Sequence, residues 1–186
     1  MDRSWNAALL DQLEFAWDYQ FLPRLDGLTT TEYLWEPVSG CWSVRPNPDG
    51  GAWRQEIVYP DPEPSPFTTI AWRIAHITTV FGQRASNHFG DGSFDLHKVP
   101  WTGEVGDALT IMTAEYDRWR EGVRALGEDG LFRPCGPAEG PFAEAPFRDL
   151  VLHIHREFIH HAAEVMLLRD LYRDTAARGD FPPEHP

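Results

Sequence analysis

Apolar residues recur every three or four positions in four long stretches of the chain, the spacing that places them on one face of an α-helix. In chain order, these stretches cover about residues 4–22, 66–90, 107–127 and 149–172. Ser65 and Pro66 form a typical N-cap and first helical position for the second stretch, and Gly127 ends the third. Four long helices without a convincing run of strands predict an all-α fold, a four-helix bundle with long irregular connections.

The longest connection, residues 37–65, is rich in proline and glycine and also contains Trp42 and Trp53. Its prolines and glycines rule out a continuous helix, and its aromatic residues favour an ordered segment that packs over part of a pocket. A threonine before Glu32 predicts one short turn of helix just ahead of this connection. The whole chain, residues 1–186, is predicted to form a single domain, with residues 174–186 as a flexible tail.

The charge of the chain narrows the classes of partner. The formal net charge is −13, which argues against binding to nucleic-acid phosphates and to anionic membrane surfaces. The N-terminus lacks the basic and apolar regions of a signal peptide, and no segment has the length of a membrane span. These features predict a cytoplasmic protein that acts on a small molecule.

The fourth helical stretch is predicted to contain the functional site, because four of the eight histidines lie between His153 and His161. On a helical wheel His161 falls inside the apolar arc, Glu157 lies on its flank one turn earlier, and Glu164 lies just beyond. His155 falls on the opposite flank. A histidine and a glutamate aimed at a core need a partner, since an unpaired buried charge is costly. The residues alone leave two partners open: a metal ion, or a hydrogen bond from Glu157 to His161 or to an arginine.

The second stretch holds one further candidate. His76 lies at the edge of the apolar arc, on a stripe that it shares with Trp72, where either a hydrogen-bonded core histidine or a ligand would fit. His88 and His97 lie close to loops and are predicted to be exposed to solvent.

Three segments carry a resemblance to a known family: WRIAHI at residues 72–77, HREFIHHAAEVMLLRDLY at 155–172, and RLDGLTTTEYLWEPVSGCWSVRP at 24–46. The chain resembles the DinB-like superfamily, which includes mycothiol-dependent maleylpyruvate isomerases and bacillithiol transferases. The resemblance implies a four-helix bundle that binds a divalent metal through one histidine of the second helix and two ligands at i and i+4 on the last, usually both histidines. His76 and His161 match the outer positions of this set, and Glu157 stands at the middle one.

The resemblance implies a metal-dependent enzyme that uses a low-molecular-weight thiol, mycothiol or another, as an S-transferase or isomerase. Zinc, nickel, manganese and iron all suit two histidines and one carboxylate. Glu164 would act as a base or orient a ligand, and Trp72, Trp42 and Arg45 would contact the substrate. Two alternatives stay open: a metal-assisted hydrolase, and a non-catalytic bundle that binds a small molecule or serves a stress response, with a structural His/Glu cluster. Similar bundles often look dimeric, so a homodimer is expected by analogy.

Overall fold

The computed structural model describes residues 4–60 and 62–180, and most of these residues are helical. The α-helices are α1 (Trp5–Phe15), α2 (Leu22–Leu25), α3 (Thr30–Leu34), α4 (Ile70–Phe89), α5 (Val105–Gly130) and α6 (Phe147–Arg178). A π-helical segment, Ala16–Phe21, joins α1 to α2, and a 3₁₀ segment, Pro137–Phe142, precedes α6. The four predicted helical stretches therefore correspond to α1 with its π-helical extension, α4, α5 and α6.

The start of α4 differs from the prediction. The helix begins at Ile70, not Pro66, and the side chain of its N-cap Thr69 accepts a hydrogen bond from the Trp72 amide at 3.2 Å. The residues before it are held in an extended conformation, because Trp42 donates to the Phe67 carbonyl and accepts from the Thr69 amide. Backbone pairing with a distant segment thus overrides the local Ser-Pro start signal.

The connection at residues 37–65 contains a small antiparallel sheet that the sequence did not predict. Strand β1 (Val44–Pro46) pairs with β2 (Trp53–Gln55), with Arg45 opposite Arg54. The described residues are mostly helical, as an all-α fold predicts, and this two-stranded sheet is a small addition to the helices. The side chain of Gln55 is buried beneath this hairpin, so the hairpin packs onto the helical body.

The four long helices run in two directions. Helices α4 and α6 are antiparallel, since His76 meets His161 near the start of α4 and His88 meets Phe147 near its end. Helix α5 runs beside α4 in the same direction, and α1 is antiparallel to α5 and so parallel to α6. The largest fully buried side chains of these helices form one core together with Tyr33 of α3: Leu13, Trp17, Phe21, Ile70, Ile74, Ile77, Phe81, Tyr116, Trp119, Phe147 and Phe158.

Helix α6 is longer than predicted and continues to Arg178. Residues 174–178 of the predicted flexible tail are therefore helical, and residues 181–186 lie outside the described residues. Within the described part of the chain, no helix combines the length and the apolar character needed to cross a bilayer.

His155 is fully buried, unlike its predicted position on a flank of α6. Its side chain is 0% exposed, and neither ring nitrogen has a hydrogen-bond partner among the described residues. Burial lowers the pKa of His155 to about 4, so the ring is neutral near pH 7. It packs as an apolar ring against the edge of Trp119. Because α6 contacts helices on more than one side, its buried arc is wider than the apolar stripe suggests.

Candidate metal centre

Helices α4 and α6 bring His76, Glu157 and His161 together. Each of the three offers one ligand atom, and these atoms all lie within 4.8 Å of one another. The imidazole rings of His76 and His161 meet edge to face, with 4.5 Å between their centroids. Glu157 joins them because it precedes His161 by one helical turn. The antiparallel packing of two helices therefore produces the three-residue cluster that the family resemblance implied.

The orientation of His161 is determined by its second ring nitrogen. Nδ1 of His161 lies 2.6 Å from Oε2 of Glu164, a distance that is attractive only with a proton between the two atoms. The tautomer protonated on Nδ1 donates to this carboxylate and leaves the lone pair of Nε2 available. Arg73 holds the same carboxylate oxygen through Nη1 at 3.1 Å. A histidine that binds a metal commonly donates its other N–H to a carboxylate in this way.

Both histidines of the cluster are uncharged at neutral pH. Burial lowers the pKa of His76 to about 3, with further lowering from the nearby His161 and Arg73. The pKa of His161 is also lowered, mainly by burial, although its hydrogen bond to Glu164 opposes this shift. Neutral imidazoles are the form that binds metal ions, so the cluster needs no deprotonation before a metal can bind.

The donor atoms of this cluster fit a divalent metal. Nε2 of His161 lies 3.7 Å from Oε2 of Glu157, which is too long for a hydrogen bond and places two lone-pair donors face to face. Bonds of about 2.0–2.2 Å to a tetrahedral zinc ion place neighbouring ligand atoms about 3.4 Å apart, close to this separation. Two imidazoles and one carboxylate are also a ligand set of catalytic zinc and of non-haem iron. A cation between these groups would satisfy lone pairs that otherwise repel one another.

A second group of potential ligands, His160, His161 and Glu164, lies on the other side of the His161 ring. This group is a poorer cation site, because the guanidinium of Arg73 already lies 3.1 Å from both His161 Nδ1 and Glu164 Oε2. A metal ion there would be repelled by the arginine. The side chain of His160 is also 62% exposed. The structure therefore favours the His76 group.

Two of the predicted substrate-contacting residues, Trp72 and Trp42, pack in succession against the His76 ring. Trp72 stacks on the His76 ring with 5.0 Å between centroids, and Trp42 lies 6.2 Å from Trp72. The Nε1 of Trp72 donates to the Glu56 carbonyl at 2.6 Å, so the connection at residues 37–65 covers this side of α4. Substrate contact by the two tryptophans stays a prediction.

Arg45 lies in a different setting from its tryptophan neighbours. Its guanidinium binds the carboxylates of Glu36 and Glu56 at 2.6 and 3.0 Å and the Cys41 carbonyl at 3.0 Å. These partners engage Nε and Nη2 of Arg45 and hold the connection together. Substrate contact by Arg45 stays a prediction.

Arg73 is the part of this site that the sequence analysis missed. It lies one turn before His76 on the same helix and reaches across to Glu164 at 3.1 Å. The signal was present as the i, i+3 spacing of Arg73 and His76, but the partner carboxylate belongs to another helix. Sequence spacing alone cannot show contacts between two helices.

Glu164 should act on the metal site through His161. We expect Glu164→Ala to weaken zinc binding about 10- to 100-fold, the usual effect of removing the carboxylate that orients a metal-binding histidine. Glu164→Gln, which keeps one acceptor oxygen, should recover part of this loss. Competition with a chelating zinc indicator measures both affinities, and Glu121→Gln on the exposed face of α5 is the control. Unchanged zinc affinity in Glu164→Ala would show that His161 does not depend on this contact.

A model of the DinB superfamily matches residues 12–165, most of the chain and all of the residues discussed for the metal centre. No curated protein and no solved structure gives a significant match.

Proposed function

The chain belongs to the DinB superfamily, and we propose that it is a metal-dependent enzyme that uses a low-molecular-weight thiol, as an S-transferase or isomerase. The proposal includes a four-helix bundle built from α1 with its π-helical extension, α4, α5 and α6. The single observation that carries it is the convergence of His76, Glu157 and His161, each of which offers one ligand atom within 4.8 Å of the others.

The three ligand residues have separate tasks in this proposal. His76 and His161 supply neutral nitrogen donors, and Glu157 supplies the negative charge that offsets part of the charge of a divalent ion. Three protein ligands leave open positions, and when bound there, such an ion acidifies a thiol or a water molecule and polarises a carbonyl group. Zinc, iron, manganese and nickel all remain candidates for this donor set.

The contacts of Glu164 distinguish between its two predicted roles, which are to act as a base and to orient a ligand. One oxygen of Glu164 binds His161 and Arg73, and the other lies 3.3 Å from Nε2 of His160. With both oxygens engaged, Glu164 is better placed to orient His161 than to accept a proton from a substrate. We therefore assign it the positioning role and assign the base role to no side chain.

The second candidate function is metal-assisted hydrolysis, which the same donor set favours because two histidines and a glutamate hold catalytic zinc in several hydrolases. Mycothiol as the thiol rests on the family resemblance, as does a homodimer. Nucleic acid is not included among the proposed partners, in keeping with the net charge of −13.

Measuring both thiol consumption and ester hydrolysis distinguishes the thiol-dependent enzyme from the hydrolase. Purified zinc-loaded protein is incubated with mycothiol and the alkylating agent monobromobimane, and separately with p-nitrophenyl acetate. We expect metal-dependent loss of free thiol that disappears in His76→Ala and persists in His97→Ala, an exposed histidine of a loop. Release of p-nitrophenol without thiol consumption would instead support the hydrolase. Metal binding without either reaction would contradict both enzymatic proposals.

A further inference from the structure

A cavity of about 600 Å³ lies between α6, the C-terminal half of α4 and the segment that precedes α6. Its walls include Arg84 of α4, Ala138 and Phe142 of the covering segment 134–146, and Leu150, His153 and Arg156 of α6. This volume lies within the range of pockets that bind small organic molecules. The lining combines apolar surface with two arginines, Arg84 and Arg156, and two carboxylates, Glu139 and Asp149.

The segment that covers the cavity is held in place by ion pairs. The carboxylate of Glu139, with only 7% of its side chain exposed, lies 2.8 Å from Nε2 of His88 and 3.0 Å from Nε of Arg84. The side chain of His88 is only 5% exposed, so the prediction that it is exposed to solvent was wrong. The ends of the segment are also joined, because the Cys135 amide donates to the Ala145 carbonyl at 2.9 Å. The cavity is therefore formed by ordered structure.

The two arginines retain donors that can bind a ligand. In the described residues, Arg84 pairs through Nε, and neither of its terminal nitrogens forms a hydrogen bond. Arg156 donates one hydrogen bond from Nη2 to His153 at 2.7 Å and is otherwise largely exposed. Both acidic residues of the wall have partners: Glu139 contacts Nε of Arg84 and Nε2 of His88, and Asp149 lies 3.6 Å from Arg148. The donors left for a ligand are therefore the terminal nitrogens of Arg84 and the guanidinium of Arg156. Guanidinium groups with available donors bind carboxylates in preference to neutral groups.

The wall of the cavity lies next to one residue of the candidate metal centre. Nδ1 of His153 and Nε of Arg156 lie 3.5 and 3.7 Å from Oε1 of Glu157, and the other oxygen of Glu157 faces His161. Two residues of the cavity wall thus reach a candidate metal ligand from the side opposite to His161. Glu157 is therefore the candidate metal ligand that lies nearest to a molecule bound in the cavity.

From this arrangement we propose that the cavity binds an organic carboxylate with an apolar body. The carboxylate is held by Arg84 and Arg156, and the apolar part packs on Leu150 and Phe142. This occupant is the electrophilic substrate of the reaction, an assignment that rests on the proposed function. The binding site itself is made only of residues outside the metal centre and does not require a metal.

The binding test uses 4-phenylbutyrate and its neutral analogue 4-phenylbutan-1-ol as probes. Binding is measured by calorimetric titration of the full-length protein. The protein is first treated with a chelator, so that the carboxylate cannot bind a metal ion. We expect the carboxylate to bind at least about 10-fold more tightly than the alcohol, as one charge-assisted contact to arginine would provide. Arg156→Gln should weaken binding of the carboxylate about 10-fold and leave the alcohol unchanged. Arg173→Gln, with 75% of its side chain exposed on the same helix, is the matched control.

Two further variants locate the probe and separate this proposal from the proposed function. Ala138→Trp, at an exposed position of the cavity wall, should abolish binding of both probes by filling the space. His161→Ala should bind 4-phenylbutyrate like the wild type, so a failure of metal binding does not affect the result. The proposal is overturned if 4-phenylbutyrate does not bind, if the alcohol binds equally well, or if Arg156→Gln and Ala138→Trp leave binding unchanged.

Discussion

Replacing His161 with alanine is expected to reduce the affinity for zinc by more than about 100-fold, because loss of a direct ligand should exceed the 10- to 100-fold cost of losing an orienting partner. His161 supplies the Nε2 lone pair that faces Glu157 at 3.7 Å, and the other two ligand residues cannot replace it. Element-specific mass spectrometry of the purified variant, together with competition against a zinc indicator, measures the effect.

His160→Ala is the control that makes this experiment specific. His160 is adjacent in sequence, its ring lies 4.8 Å from that of His161, and it belongs to the competing ligand group. Our assignment predicts that His160→Ala retains zinc while His161→Ala loses it. If His160→Ala lost zinc as fully as His161→Ala, the ion would instead occupy the group that contains Glu164.

The largest expected effect on stability is that of Phe158→Ala. Phe158 is 0% exposed and its ring lies 5.4 Å from Trp17, 5.5 Å from Phe21 and 5.5 Å from Phe81. Truncation of such a side chain should lower the free energy of unfolding by about 3–5 kcal/mol, through lost burial and the cavity left behind. Urea-induced unfolding, followed by circular dichroism, measures this change.

Phe15→Ala is the matched control, because Phe15 is 54% exposed on α1. Its removal should change the free energy of unfolding by only about 0.5 kcal/mol, as is usual for surface positions. A loss below about 1 kcal/mol in Phe158→Ala would contradict the packing of α6 against α1 and α4. That packing is what places Glu157, the neighbour of Phe158, opposite His76.

The period of the apolar residues was enough to predict the four long helices and the inward position of His161. It could not predict the start of α4, since Thr68 and Thr69 pair with Trp42 from a distant segment. The small hairpin was missed for a related reason: Val44 and Gln55, which pair across it, are buried, and Arg45 contacts two glutamates that are separated in sequence. Interactions between distant segments leave little trace in local spacing.

The candidate site was also predictable from the sequence only where its residues lie on one helix. Glu157 and His161 lie on one helix, so their i, i+4 spacing was visible in the sequence, whereas placing His76 beside them required the family resemblance. The contact of Arg73 with Glu164 and the ion pair of His88 with Glu139 both join two separate segments and appear only in the folded chain. Burial of His155 was missed because the helical wheel does not show how many neighbours pack around a helix.

The most direct test of this account is the metal content and ligand type of the wild-type protein, purified without chelators. We predict about one divalent metal ion per chain. X-ray absorption spectroscopy should show only nitrogen and oxygen ligands at about 2.0–2.2 Å, as expected for two histidines and a carboxylate binding zinc. A protein without stoichiometric metal, or an ion with sulfur ligands from Cys41 or Cys135, would contradict the assignment of His76, Glu157 and His161.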